Sequence, residues 1–289
     1  MSGDTMPVEK AALQLQEQGY CVLRRAAPRR TLEDIDQELA PRFEKTPFCD
    51  GLFSGRRTKR FHGLLKRSRT SQRLVTHSSV LSLAERVLLP HSDTLQLNLT
   101  QAIEIHGGEG PQIPHRDQDM WQGEKGRTEY LLNVMWPITS FRPENGGTLL
   151  WPGTHRQQET RHLPREEAIS PSLEPGDALL FLGSTLHGAG ANTTRLPRRG
   201  IIVSYCLGWL KPYENMWLTY PPEVAANYPM LLQDLIGYRL NRPNLGNYDG
   251  NCPSLLLKGN PAEHLATMDS FLPEQLRSLE QYAHLQEVR

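Results

Sequence analysis

A mainly-β core with flanking helices is the fold class this sequence predicts, and three observations predict it. Residues 94–106, "TLQLNLTQAIEIH", alternate polar and apolar side chains, the period-2 mark of a half-buried strand. Four more apolar runs follow at short intervals, at 130–139, 147–155, 177–183 and 199–209, separated by turn signals such as "PENGG", "EPGD" and "LPRR". Helical periodicity is found before and after that stretch. Short strands at this spacing make an antiparallel sandwich or barrel.

Taken in order, residues 7–19 read as an amphipathic helix ending at Gly19, followed by a short strand in "YCVLRRA". "TLEDIDQELAPRF" reads as a second helix, with Thr31 as its N-cap and acids in its first turn. A third covers 77–89 and stops at Pro90, which cannot continue a helix. Beyond about residue 221 helices return, in 222–240 and 273–288, with the loop-like "NRPNLGNYDGNCP" between them. The reading is one domain in three parts: N-terminal helices and a lid region (1–93), a β core (94–210), and a helical and looped extension (211–289). All-β cores with additions of this size stand as one unit.

Bulk properties exclude several classes. Lys+Arg and Asp+Glu balance at 32 each, unlike the strongly basic surface of a nucleic-acid binder. No apolar run approaches the roughly 20 residues that cross a bilayer, and "MSGDTMPVEK" lacks the apolar centre of a signal peptide. Cys21, Cys49, Cys206 and Cys252 form no CxxC pair and read as reduced thiols, so a cytoplasmic protein is expected. Residues 56–73 carry eight Lys/Arg and no acid. They are either a mouth that attracts an anionic substrate or a solvated loop, and zero net charge favours the loop.

The stretch "PQIPHRDQDMW" (111–121) is the most specific signal. In a strand, side chains at i and i+2 share a face, so His115 and Asp117 can point the same way, and both are metal-ligand types. A lone HxD arises by chance in many proteins, and a polar surface turn is the alternative. The best third ligand is His187, 72 residues on, after the apolar run "DALLFLG" and before the small residues Gly188–Gly190. Alone it would read as a satisfied core histidine. Two histidines and one carboxylate on one face of an ion form a facial triad, which leaves three positions for a bidentate 2-oxo acid and O₂. The arginines Arg195, Arg198 and Arg199 offer a deep cation for a cosubstrate's far carboxylate. His62, His77, His91, His155, His162, His264 and His284 have no second ligand at useful spacing and read as surface or structural.

The segments "EQGYCVLRRA", "PQIPHRDQDMW", "RPENGGTLLWPGTH" and "LEPGDALLFLGSTLHGAGANTTRLPRRGIIVSYCLGW" together resemble the phytanoyl-CoA dioxygenase family of Fe(II)/2-oxoglutarate-dependent oxygenases, over roughly residues 17–212. "Q-x-x-H-R-D" is most similar to the branch acting on natural products. "HGGE" at 106–109 stands where members often have Pro-Gly-Glu, so His106 replaces a turn proline. The resemblance implies a double-stranded β-helix (jelly roll, cupin-like) with Fe(II) on His115, Asp117 and His187. Arg198 would bind the far carboxylate of 2-oxoglutarate, with Gln112 and Thr148 supporting by hydrogen bonds. O₂ would then oxidise a C–H bond of a small natural-product-like or lipid-like metabolite, releasing succinate and CO₂. A carboxylate at 117, where a small residue would admit halide, implies hydroxylation or a related oxidation. Trp121, and with it Met120, is expected to line the substrate pocket. Two other readings stay open: a non-catalytic metal- and ligand-binding jelly roll, and a cupin metalloenzyme that does not use 2-oxoglutarate.

Overall fold

The computed structural model describes residues 6–124, 126–157 and 167–287. Among the described residues, eight strands build two sheets: β1 (Tyr20–Leu23), β2 (Thr58–His62), β3 (Leu95–Ile105), β4 (Leu131–Pro137), β5 (Thr148–Leu150), β6 (Ala178–Leu182), β7 (His187–Ala189) and β8 (Arg198–Leu207). The larger sheet runs β1-β6-β4-β8-β3-β2, every neighbour antiparallel, and the smaller pairs β5 with β7. This is the jelly-roll core. Its two edge strands, β1 and β2, come from before residue 94, so the sheet reaches outside the 94–210 stretch that the alternation marks. His162 and residue 288 lie outside the described residues.

The central strands β4 and β6 are buried on both faces, which is why β4 reads "LLNVMWP" with no polar alternation. Leu132, Val134 and Trp136 face outward, under α1 (Val8–Gln18), α2 (Arg29–Lys45) and α4 (Ser78–Leu88), with α3 (Gln72–Val75) a single turn before α4. Leu15, Ile35, Phe43 and Leu83 close that layer, and each such burial contributes about 1.5–3 kcal/mol. On the inner face Met135, Phe181 and Ile202 meet Phe141 and Leu150 from the smaller sheet's side.

Local sequence accounts for most ends. Gly19 takes φ 80 at the close of α1, where a Cβ would strike Thr185 and His155. α2 starts earlier than Thr31 suggests: Pro28 fixes the entry geometry, Arg29 opens the helix, and Thr31 is buried in its first turn with no capping bond. The expected helix over 222–240 is broken. After α5 (Met216–Thr219), it appears as α6 (Pro222–Ala225) and α7 (Met230–Leu235), because Pro229 removes a donor and Gly237 ends the second piece at φ 95. α8 (Pro273–Glu287) follows the 273–288 pattern.

Candidate metal centre

His187 opens β7, and across from it His115 forms an isolated antiparallel bridge. The His115 N–H donates to the His187 carbonyl at 2.9 Å, and the His187 N–H donates back at 3.0 Å. Each ring has a carbonyl behind it: Nδ1 of His115 lies 2.9 Å from the Ile113 oxygen, and Nδ1 of His187 3.0 Å from that of Thr185. A neutral imidazole that donates through Nδ1–H presents its Nε2 lone pair forward. Asp117 is not in a strand. It opens a 3₁₀ turn, Asp117–Met120, and Arg116 fixes that turn by donating to the Ser184 and Thr154 carbonyls. Asp117 Oδ1 lies 3.4 Å from His115 Nε2, and Oδ2 lies 3.5 Å from His187 Nε2. One ligand atom from each of the three residues falls within 4.8 Å of the others. Burial pushes the Asp117 carboxyl up, but His187 and His115 outweigh it and hold it well below the usual range. Asp117 in turn raises His187 against the effect of burial.

The three side chains open into a cavity of about 400 Å³ that Arg198 also lines. That guanidinium is buried, lies 4.1 Å from the Phe141 ring centroid, and donates from Nη2 to the Gly146 carbonyl. Its Nε and Nη1 are buried without a partner. Burial, and after it the charge of Arg60, pull it down to about 9. A buried cation with unused donors is a fit for an anion supplied from outside. The neighbouring arginines do not share this place. Arg199, one residue on and so on the opposite face of β8, pairs with Glu104 and Asp36, and Arg195 is exposed. Gln112 and Thr148 both line the cavity. Gln112 donates to the Phe53 carbonyl and accepts from the Ala189 N–H, and Thr148 stands opposite Ala189 in the β5–β7 ladder. Met120 is on the wall. Trp121 is not: its indole N–H donates to the Lys211 carbonyl and its ring packs edge-on to Tyr130, because the 3₁₀ turn swings the chain away from the ion position.

The phytanoyl-CoA dioxygenase family model matches residues 15–200. The chain belongs to that family. Among curated relatives, the dioxygenase cdmA of Talaromyces verruculosus is 30% identical over 252 residues, covering 83% of this chain and 85% of its own. The dioxygenase olcK of Penicillium canescens is 27% identical over 255 residues, with 84% of each chain covered. Solved structures share the fold. The 2-oxoglutarate-dependent epimerase SnoN from nogalamycin biosynthesis superposes with TM-score 0.59 at 20% identity, over 71% of this chain and 86% of its own. HygX from Streptomyces hygroscopicus, with nickel and 2-oxoglutarate bound, gives 0.56 at 16% identity, over 72% and 91%.

In this phytanoyl-CoA dioxygenase family member the basic segment is not a solvated loop throughout. Residues 58–62 form β2, whose Arg60 and His62 face the cavity while Phe61 packs on Phe43. Arg60 donates to the Ser54 carbonyl and to Gln101 Oε1. Sequence reasoning missed it because it sits among seven other cations. It missed Asn133 as well, the single amide inside the apolar run of β4, whose Nδ2 donates to Asp117 Oδ2 at 2.9 Å. The signal was there: a polar residue in a doubly buried strand needs a partner.

Proposed function

We propose that this family member is an Fe(II)- and 2-oxoglutarate-dependent dioxygenase that oxidises an unactivated C–H of a small organic metabolite, natural-product-like or lipid-like, in the cytoplasm. The carrying observation is that the His115–Asp117–His187 cluster and the anion-seeking donors of Arg198 open into one cavity. Bound Fe(II) with 2-oxoglutarate and O₂ supplies the oxidising chemistry, with succinate and CO₂ released. The chain does the rest. His115 and His187 offer Nε2 and Asp117 a carboxylate oxygen, three donors of the facial-triad type. Arg198, whose Nε and Nη1 are unpartnered, would hold the far carboxylate of 2-oxoglutarate by charge-assisted hydrogen bonds, with Gln112 and Thr148 beside it. Met135, Phe181 and Ile202 keep water from the reacting end. The Asp117 carboxylate takes the place a halide would need, which favours hydroxylation or a related oxidation. The dioxygenase names of the relatives support the reading, as do the four free cysteines for a reducing compartment.

Anaerobic addition of 2-oxoglutarate to the Fe(II)-loaded protein tests it. A visible charge-transfer band is expected. Failure to bind both Fe(II) and 2-oxoglutarate would overturn the reading. Metal binding with no response to 2-oxoglutarate would favour a metalloprotein that does not use that cosubstrate.

A further inference from the structure

Asn133 stands mid-way along β4, paired across to Phe181 of β6 and Ser204 of β8, and is buried at 1% exposure. Its neighbours along the strand are Leu131, Leu132, Val134 and Met135. A buried amide among aliphatic side chains costs stability unless its hydrogen bonds are made. Its Nδ2 makes one, 2.9 Å to Asp117 Oδ2. The three clustered side chains differ in how they are held. His115 and His187 are fixed twice, by their mutual backbone pairing and by a carbonyl on each Nδ1. Asp117 starts a 3₁₀ turn, and a carboxylate there turns freely about its last bond unless something grips it. Asn133 supplies that grip from the centre of the larger sheet, on a strand paired on both sides.

We propose that Asn133 is the positioning residue of this centre, holding Asp117 as a one-oxygen ligand. The inference rests on the metal-site reading above. With one oxygen engaged by the Asn133 N–H, the other is left to meet an ion. A carboxylate released from Asn133 turns about its last bond, so an ion must order it on binding, and the metal affinity falls. Partners of this kind behind a ligating group typically change metal affinity by about 10–100-fold when removed.

Mn(II) titration of Asn133→Ala and Asn133→Leu, without cosubstrate and against wild type, tests it. The leucine keeps most of the volume and lacks the donor. The metal-free proteins are melted in parallel. Both variants are expected to bind Mn(II) at least about tenfold more weakly while the metal-free melting temperature of Asn133→Leu is unchanged or higher. The Co(II)-substituted variant is expected to show a d–d spectrum altered from wild type, a change that packing alone does not produce. Affinity within about threefold of wild type in either folded variant overturns the proposal, since it falls short of the usual effect. A loss that tracks unfolding in both variants overturns it too, making Asn133 a packing residue. Wild-type protein that takes up no Mn(II) sinks the metal-site reading itself, so the two failures are distinguishable.

Discussion

His115 and His187 are each other's backbone partners: two N–H···O bonds of 2.9 and 3.0 Å join them, and their ring centroids lie 4.4 Å apart. Their side chains therefore approach one point because their main chains already do. Truncating either ring leaves that pairing intact. His115→Ala, His187→Ala and Asp117→Ala are each expected to abolish Fe(II) binding while the circular dichroism stays that of wild type. Iron content of the reconstituted proteins checks this, and retained iron in all three would put the ligands elsewhere.

Arg198 is a buried cation with two unused donors, so it costs stability until an anion arrives. Arg198→Met should raise the dissociation constant of 2-oxoglutarate by about ten- to hundredfold, the equivalent of the roughly 1.5–3 kcal/mol of a charge-assisted pair. The same variant should melt no lower than wild type without ligand, and should lose the upward shift that 2-oxoglutarate gives. Thermal melts with and without metal and cosubstrate measure both effects.

Arg199 should behave the opposite way. It pairs with Glu104, which is 3% exposed as a side chain, and with Asp36. Arg199→Ala should destabilise the fold and leave cosubstrate affinity alone. The loss should fall below the roughly 3–5 kcal/mol of an unpaired buried ion, since Lys59 and His106 still face Glu104. Exposed Arg195→Ala should change stability by no more than about 0.5 kcal/mol. Urea unfolding and 2-oxoglutarate titration separate the three arginines.

Glu129 gives a pH signature. Burial pushes its carboxyl from 4.5 up to about 7, against hydrogen bonds from the Ser184 backbone and hydroxyl. The folded state then holds this proton more tightly than the unfolded state does. Its contribution is full below about 4.5 and is lost as pH rises to about 7. Wild type should therefore lose melting temperature between pH 5 and 7.5 relative to Glu129→Gln, which cannot ionise. Parallel pH profiles of equal slope would show that Glu129 does not titrate in this window.

How far the sequence is legible depends on what each strand faces. β3 was plain because its period-2 pattern is written in apolar residues. β2 was not, because the face it turns inward carries Arg60 and His62, and an inward cation looks like an outward one in a sequence. The HxD spacing and the later histidine were legible as ligand types, yet the assumed cause was partly wrong: Asp117 reaches His115 from a 3₁₀ turn rather than along a strand. Trp121 shows the limit of neighbourhood. Four residues from Asp117 in sequence, it is carried out of the cavity by that same turn. The family resemblance singles out Arg198, while the residue types alone leave it level with Arg195 and Arg199. The β8 register gives the physical reason, with Arg198 inward, Arg199 outward and Arg195 in the preceding loop.

One irregularity in β3 reaches further than its size suggests. The register with β8 slips between Leu97 and Leu99, so Asn98 is an extra residue. Its side-chain oxygen accepts from the Tyr213 N–H at 2.7 Å and its carbonyl from the Glu214 N–H at 2.9 Å. The main chain of residues 213 and 214 is thereby stitched to the sheet, which seats Tyr213 at the cavity it lines. Anyone redesigning what this protein admits would leave that anchored stretch alone and rewrite Phe53 and Ser54, which line the same cavity without such a tie to the bulge.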